Sequence, residues 1–479
     1  MLFNSFQFLL FFIILTPLYY LVNFKWRWLL LLLASCYFYA SFIPAYLLIL
    51  FTIIIIDYTA GRFIENAGGN RRKFFLIVSI AANLGVLCLF KYYNFFIENV
   101  NELLALWNIR TTPFPLWSLA LPLGLSFHTF QAMSYTIEIY RGRQKAEKHP
   151  GIYALYVMFY PQLVAGPIER PQQLLPQFYE RHRPDYEGIS QGLKTMLWGF
   201  FMKVVIADRL AIYVNFAYTR SASHSRLALL TAAFFYAFQI YCDFAGYSLI
   251  AIGSAKTMGF ELVKNFNAPL LSRSVTEFWR RWHISLSAWF NDYLFIPIVI
   301  NKRNWGQWAV VYGLVITFFL SGLWHGAAWT FVIMGLLHAF IMIVEFLTSK
   351  WKITLKNKLI RIIAALLRRL ITFSFLCFAW IFFRSANLRE AFSVIHRIIS
   401  PDTPWKIATE FDSRTLLLYS FFGIACIITA DVKKEFFGDT HLLLYNKKAS
   451  VRLASCLALV IIILLLGVFD GGQFIYFQF

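Results

Sequence analysis

A histidine at position 325 lies inside the run F-L-S-G-L-W-H-G-A-A-W-T-F (319–331), with glycines at 322 and 326 beside it. The rest of that run is apolar enough to face lipid, and an ionisable side chain there is costly enough to mark a functional site by default. The chemistry it offers is proton transfer, because imidazole has an unperturbed pKa of about 6.5 and both takes and returns a proton near neutrality. The small neighbours let backbone or substrate approach the ring closely. A histidine satisfied by a neighbouring carbonyl fits the same pattern, and composition does not choose between the two. Upstream, N-F-N-A-P-L-L-S-R-S-V-T-E-F-W-R-R-W-H-I-S-L-S-A-W-F-N-D-Y-L-F-I-P-I (265–298) is basic, Trp-rich and amphipathic. Such segments lie in the membrane interface, and a purely anchoring helix is the plain reading of this one. Asp243, Glu169 and Arg170 also stand among apolar residues. Charged groups in that setting usually face a bundle interior and pair, so Asp243 reads as structural support.

Other chemistries lack their residues. There is no H-E-x-x-H, and the cysteines at 36, 88, 242, 377, 426 and 456 form no C-x-x-C pair, so no metal is expected. No G-x-S-x-G is present either, which leaves a serine-hydrolase mechanism without support.

The elements that position these residues follow from composition. Of 479 residues, 59% are hydrophobic and only 14% charged, against about 25% charged in a soluble domain. Apolar segments fall near 5–22, 28–41, 43–58, 74–97, 116–140, 152–166, 191–217, 227–253, 284–300, 307–324, 327–347, 370–384, 415–430 and 453–469. Several are short for a crossing, and short or broken segments persist at membrane depth only where protein or a water-filled cavity covers them. The expected fold is therefore an all-α polytopic membrane protein. It should have roughly 11–13 transmembrane or re-entrant helices around a central cavity, plus amphipathic interfacial helices. No repeat or soluble insertion interrupts 1–479, which reads as a single membrane domain. The first apolar run has no basic residue ahead of it and no small-residue cleavage site, so it reads as a retained helix.

The formal charge of +20 belongs to this picture rather than to nucleic-acid binding, since basic residues of membrane proteins collect in cytoplasmic loops. Arg62, Arg71, Arg72 and Lys73 form one basic stretch, and Arg141, Arg143, Lys145 and Lys148 another. Residues 350–369 hold seven basic residues and no acidic one. Lys433, Lys434, Lys447, Lys448 and Arg452 make a further group, whereas 385–414 is balanced. Placing the basic stretches in the cytoplasm puts both termini outside.

The run F-W-R-R-W-H-I-S-L-S followed by G-L-W-H-G-A resembles the membrane-bound O-acyltransferase family. The branch it resembles comprises the membrane subunits of alginate, cellulose and peptidoglycan O-acetylation, with the teichoic-acid D-alanylation subunit as a cousin. The resemblance extends over M-L-F-N-S-F-Q-F at the start, F-H-T-F-Q-A-M-S-Y-T-I-E-I-Y-R-G (127–142), F-Y-P-Q-L-V-A-G-P-I-E-R-P (159–171), Q-I-Y-C-D-F-A-G-Y-S (239–248) and the terminal F-I-Y-F-Q-F (474–479). It implies His325 as the catalytic histidine and His283 as a second functional one. The core motifs would span 265–338 and a C-terminal aromatic tail 470–479. That tail is similar to the ending of the D-alanylation subunit's small partner, whose tyrosine is thought to receive the acyl group. The similarity implies that Tyr476, behind the hinge Gly471–Gly472, relays the acyl group, although an aromatic belt anchor fits the same residues. Two departures stand out. Leu249 occupies a commonly acidic position, and Val299–Ile300 replaces a frequent glycine pair.

The implied reaction takes acetyl from cytoplasmic acetyl-CoA and passes it outward for O-acetylation of a cell-surface polysaccharide of alginate, cellulose or peptidoglycan type. The implied partner is a periplasmic SGNH-type acetyltransferase or another polymer-modifying protein, and the setting is the bacterial inner membrane with its lipids. A lipid or protein O-acyltransferase is the alternative within the enzyme class. A transporter or a non-catalytic scaffold are the alternatives outside it. The charge map itself predicts a cytoplasmic 350–369 segment. Single cysteines placed there should resist an impermeant periplasmic maleimide in intact cells, and labelling from outside would invert the whole topology.

Overall fold

In the computed structural model, the described residues are 1–109, 112–118, 121–164, 166–219, 221–349, 351, 356–406, 414–438, 444–469 and 474–475. The chain is 78% helical, with no strand among the described residues. Among the described residues, eight helices are long and apolar enough to cross a membrane: Tyr46–Asn66, Gly69–Leu106, Arg226–Thr257, Gln307–His325, Trp329–Thr348, Lys358–Arg384, Thr415–Phe437 and Ala449–Leu466. A ninth span results if the bent pair Val275–Arg281 and Ile284–Asn301 counts as one. Phe6–Leu21 is apolar but only 16 residues long. The architecture is that of an all-α, multi-pass membrane protein. The expected 11–13 counted re-entrant helices with full spans, and the segments beyond the eight are short, bent or interrupted.

The chain forms two compact units. Met1–Leu193 with Ile250–Val263 makes the first, and Lys194–Leu249 with Lys264–Phe479 the second. In the first unit a buried polar network joins three helices. Asp57 accepts from Ser79 Oγ at 2.6 Å and from Asn83 Nδ2 at 2.8 Å, and Ser79 Oγ lies 2.9 Å from Thr136 Oγ1. Glu169 also belongs here: it accepts from the Val263 N–H at 2.7 Å, and burial pushes its carboxyl up to about 8. It ties two backbone segments together.

The basic segment before residue 370 does not stay a loop. Asn357 caps a helix by accepting from the Leu359 and Ile360 N–H groups, and the helix runs from Lys358 through Arg384. The sequence L-I-R-I-I-A-A-L-L-R-R-L explains this, because its apolar residues recur at helical spacing while the arginines remain at its polar positions. Arg369 then caps a neighbouring carbonyl, donating to Leu271 O at 3.0 Å.

In the second unit, Gln307–His325 and Trp329–Thr348 pack at backbone contact. A Cβ on Gly322 would lie 2.5 Å from Phe331 O, and one on Gly335 would lie 2.2 Å from Phe318 O. Close approach of this kind is what small residues permit between membrane helices. Gly335→Ala is therefore expected to lower stability by about 1–3 kcal/mol through overpacking. Gly85→Ala, where a Cβ meets nothing within 4 Å, is expected to be neutral. Thermal unfolding of the detergent-solubilised protein checks both, and equal midpoints for the two variants would refute the contact.

Candidate active site

His325 is the last residue of the Gln307–His325 helix and is buried. Its glycine neighbour at 322 admits backbone at the helix crossing, while Gly326 admits the Phe331 ring. The imidazole meets Trp324 at 5.0 Å and Phe383 at 5.5 Å between ring centroids, both near edge-on. Trp324 also packs against His283, at 5.9 Å. The two histidines implied by the family resemblance thus share one aromatic neighbour in the second unit.

His283 stands where the 265–298 segment breaks. Val275–Arg281 and Ile284–Asn301 meet at 111°, and His283 adopts a left-handed backbone with φ of 43°. A side-chain-bearing residue in that region costs roughly 1–2 kcal/mol. Asn265 supplies the compensation. Its carbonyl oxygen accepts from the Ile284 N–H at 2.9 Å. Its side-chain Oδ1 accepts from Ser285 Oγ at 2.9 Å, from the Ser285 N–H at 3.3 Å and from His283 Nδ1 at 3.1 Å. A backbone N–H only donates, so the contacting amide atom is the oxygen. His283 Nδ1 therefore carries the proton, and Nε2 carries the ring lone pair. Phe244 closes the other side of the ring at 4.6 Å, edge-on.

A third histidine, His338, is buried on Trp329–Thr348 and accepts at Nδ1 from the Trp279 indole N–H at 3.2 Å. Beside His325 lies a space of about 10 Å³ walled by Phe278, Trp279, Trp282, His338 and Trp380 among others. A separate apolar cavity of about 620 Å³ opens next to Trp279, Leu286, Leu314 and Phe318.

Asp243 forms the other half of the site. Lys203 Nζ lies 2.6 Å from Asp243 Oδ1 and 2.7 Å from Asp208 Oδ1, and all three side chains are buried. The other Asp243 oxygen accepts from the Ile475 N–H at 2.7 Å. Phe474 stacks on Tyr247 at 4.6 Å and packs against Phe244 at 5.5 Å. Residues 474 and 475 are therefore buried inside the unit. Phe244 joins them to His283. Tyr476 and the Gly471–Gly472 hinge lie outside the described residues.

Sequence reasoning gave no role to Asn265, Lys203 or His338. His338 carried the same signal as His325, an ionisable group in a membrane helix. Lys203 stood with Asp208 in the apolar run 191–217, a pairing that could have marked it. Nothing about Asn265 in the sequence announces that it clamps a histidine 18 positions away. Among the described residues no group of three or more His, Cys, Asp or Glu side chains is arranged to hold a metal ion.

Residues 86–385 match the family model described as MBOAT, membrane-bound O-acyltransferase family. The chain is 37% identical to the probable alginate O-acetylase AlgI of Pseudomonas aeruginosa over 439 residues, covering 88% of this chain and 82% of that one. It is 32% identical to the peptidoglycan O-acetyltransferase of Helicobacter pylori, covering 94% and 91%. Against the teichoic acid D-alanyltransferase of Bacillus subtilis it is 30% identical, covering 54% and 68%.

The clamp on His283 generates a prediction. Asn265→Ala removes the acceptor that fixes the ring, and misplacement on the ångström scale costs about 10²-fold in rate. It also leaves buried donors unsatisfied, at about 1–3 kcal/mol of stability. Acyl-transfer activity per folded molecule is the deciding measurement, and a wild-type value would remove Asn265 from the site.

Proposed function

We propose that this chain, which belongs to the membrane-bound O-acyltransferase family, takes acetyl from cytoplasmic acetyl-CoA and passes it across the bacterial inner membrane for O-acetylation of a cell-surface polysaccharide. As a family member it is an O-acyltransferase. The alginate and peptidoglycan O-acetylating relatives support acetyl as the group and a polymer as its destination. The observation that carries the reading is the burial of Phe474 and Ile475 against Asp243, Tyr247 and Phe244, with Phe244 on His283. A tail acting only as an interfacial anchor would have its aromatic rings at the headgroup level.

Tyr476 follows Ile475 directly and is the proposed acyl relay. Its phenol oxygen attacks the thioester carbonyl carbon while His325 takes the phenolic proton. The C–S bond breaks, and the coenzyme A thiolate leaves and recovers that proton. The product is an aryl ester on Tyr476. Phenol, with a pKa near about 10, is a better leaving group than an alcohol, so the ester transfers readily to an acceptor hydroxyl. His283, with its Nε2 lone pair fixed in orientation, assists from the far side of Trp324. The charge map puts the tail and both termini in the periplasm, where an SGNH-type partner would collect the acetyl group. No step in this scheme draws on a metal.

His325→Ala is expected to lower acetyl-CoA turnover at least about 10²-fold, the contribution of a positioned base, with insertion into the membrane unchanged. Tyr476→Phe is expected to abolish polymer acetylation in cells while the protein remains at wild-type abundance. Normal polymer acetylation in the Tyr476→Phe strain would eliminate the relay, and near-normal turnover by purified His325→Ala would eliminate the base.

A further inference from the structure

Two spaces in the second unit share one lining side chain. The cavity of about 620 Å³ is lined chiefly by apolar groups, among them Leu286, Phe290, Phe295, Leu314 and Phe318. The space beside His325 is about 10 Å³, room for about one water molecule or a group of methyl size. Trp279 is the residue that lines both.

Its indole is held on more than one side. The N–H donates to His338 Nδ1 at 3.2 Å, and the ring meets His338 at 5.3 Å and Phe318 at 5.2 Å, each edge-on. Phe278 packs edge-on as well, at 5.6 Å. His338 is in turn enclosed by Phe278, Phe318 and Phe375. A side chain fixed by a hydrogen bond and by rings around it is a wall rather than a flap.

We infer that Trp279 sets the length of the acyl group handled at His325, confining it to two carbons by separating the small space from the large cavity. The inference rests on the functional reading above, since it takes His325 as the base at the attacked thioester. The reacting carbonyl has to lie within reach of that imidazole, which leaves the small space for the methyl group of acetyl. Any further methylene must pass through the volume the indole fills. Without the indole the two spaces merge, and each methylene laid against the apolar lining is favoured about fourfold. For butyryl, with two more methylenes than acetyl, that amounts to on the order of tenfold.

The test uses the purified full-length chain in lipid nanodiscs, with acetyl-CoA and butyryl-CoA as competing donors. Wild type is expected to favour acetyl-CoA. Trp279→Leu and Trp279→Met are expected to raise the butyryl-to-acetyl ratio of kcat/KM by about tenfold or more. Trp279→Phe keeps a ring at the divide without the N–H and is expected to retain acetyl preference, which separates blocking from hydrogen bonding. In Trp279→Leu, the added Leu314→Trp substitution refills the cavity and is expected to restore that preference. An unchanged ratio in whichever of the Leu and Met variants folds overturns the inference, even if absolute rates fall. The ratio of butyryl-CoA to acetyl-CoA affinity in a His325→Ala background reads the same wall without chemistry. A wild type that binds acetyl-CoA selectively but never consumes it would therefore refute the functional reading and leave the wall standing.

Discussion

The Lys203 ammonium, buried between the Asp208 and Asp243 carboxylates, is the interaction on which the site depends. A charge in a lipid-surrounded protein survives only if its partners are fixed, and here the backbone fixes them. Residues Phe201–Ala207 form a π-helical turn between Tyr186–Phe200 and Asp208–Thr219. Gly246 lets that turn come close, since a Cβ there would lie 3.0 Å from the Lys203 backbone nitrogen. Asp243 then has one oxygen for Lys203 and one for the Ile475 N–H. The aromatic contacts follow from this anchor: Phe474 on Tyr247 and Phe244, and Phe244 on His283. Removing one partner from such a buried set costs about 3–5 kcal/mol because the remaining charges lose their compensation. The same loss would release the tail and one wall of the histidine pocket together.

Irregular backbone is concentrated around the same residues. The π turn places Lys203, and the left-handed residue and the 111° bend place His283. At membrane depth such departures are tolerated only where protein satisfies the freed groups. Asn265 does this for the bend, receiving the Ile284 and Ser285 N–H groups as well as the imidazole. A strained conformation held by surrounding contacts is a common feature of functional sites.

These features explain what the sequence could and could not disclose. The all-α membrane fold was legible, because apolar length is a local signal, and His325 stood out in the sequence as an ionisable group inside such a run. His283 drew attention only through its motif, since the surrounding amphipathic run reads as a continuous interfacial helix. Its break comes from Asn265, a long-range partner with no periodicity of its own. The start of the helix at Lys358 was hidden for a different reason. Basic residues that set topology also sit comfortably at helical positions, so counting charge marked a loop where Asn357 caps a helix. Asp243 read as a support, and it has two partners: Lys203, and the Ile475 N–H, a backbone group that leaves no mark in residue type.

The two histidines are held in ways suited to unlike tasks. His283 is pinned through its backbone and through Nδ1, and its partner Asn265 is neutral. A carboxylate in that position would orient the ring equally well but would add a further buried charge to an environment already committed to the Lys203 cluster. The amide fixes the tautomer without that cost, because its oxygen also receives Ser285 and so cannot reverse. A ring held in this way keeps its Nδ1 proton and offers a directed acceptor at Nε2, which is the property needed to orient a hydroxyl. His325 instead ends a helix, with Trp324 and Phe383 as its ring contacts. Under the proposed function, proton exchange falls to His325 and orientation to His283, and Trp324 keeps the two rings in fixed relation.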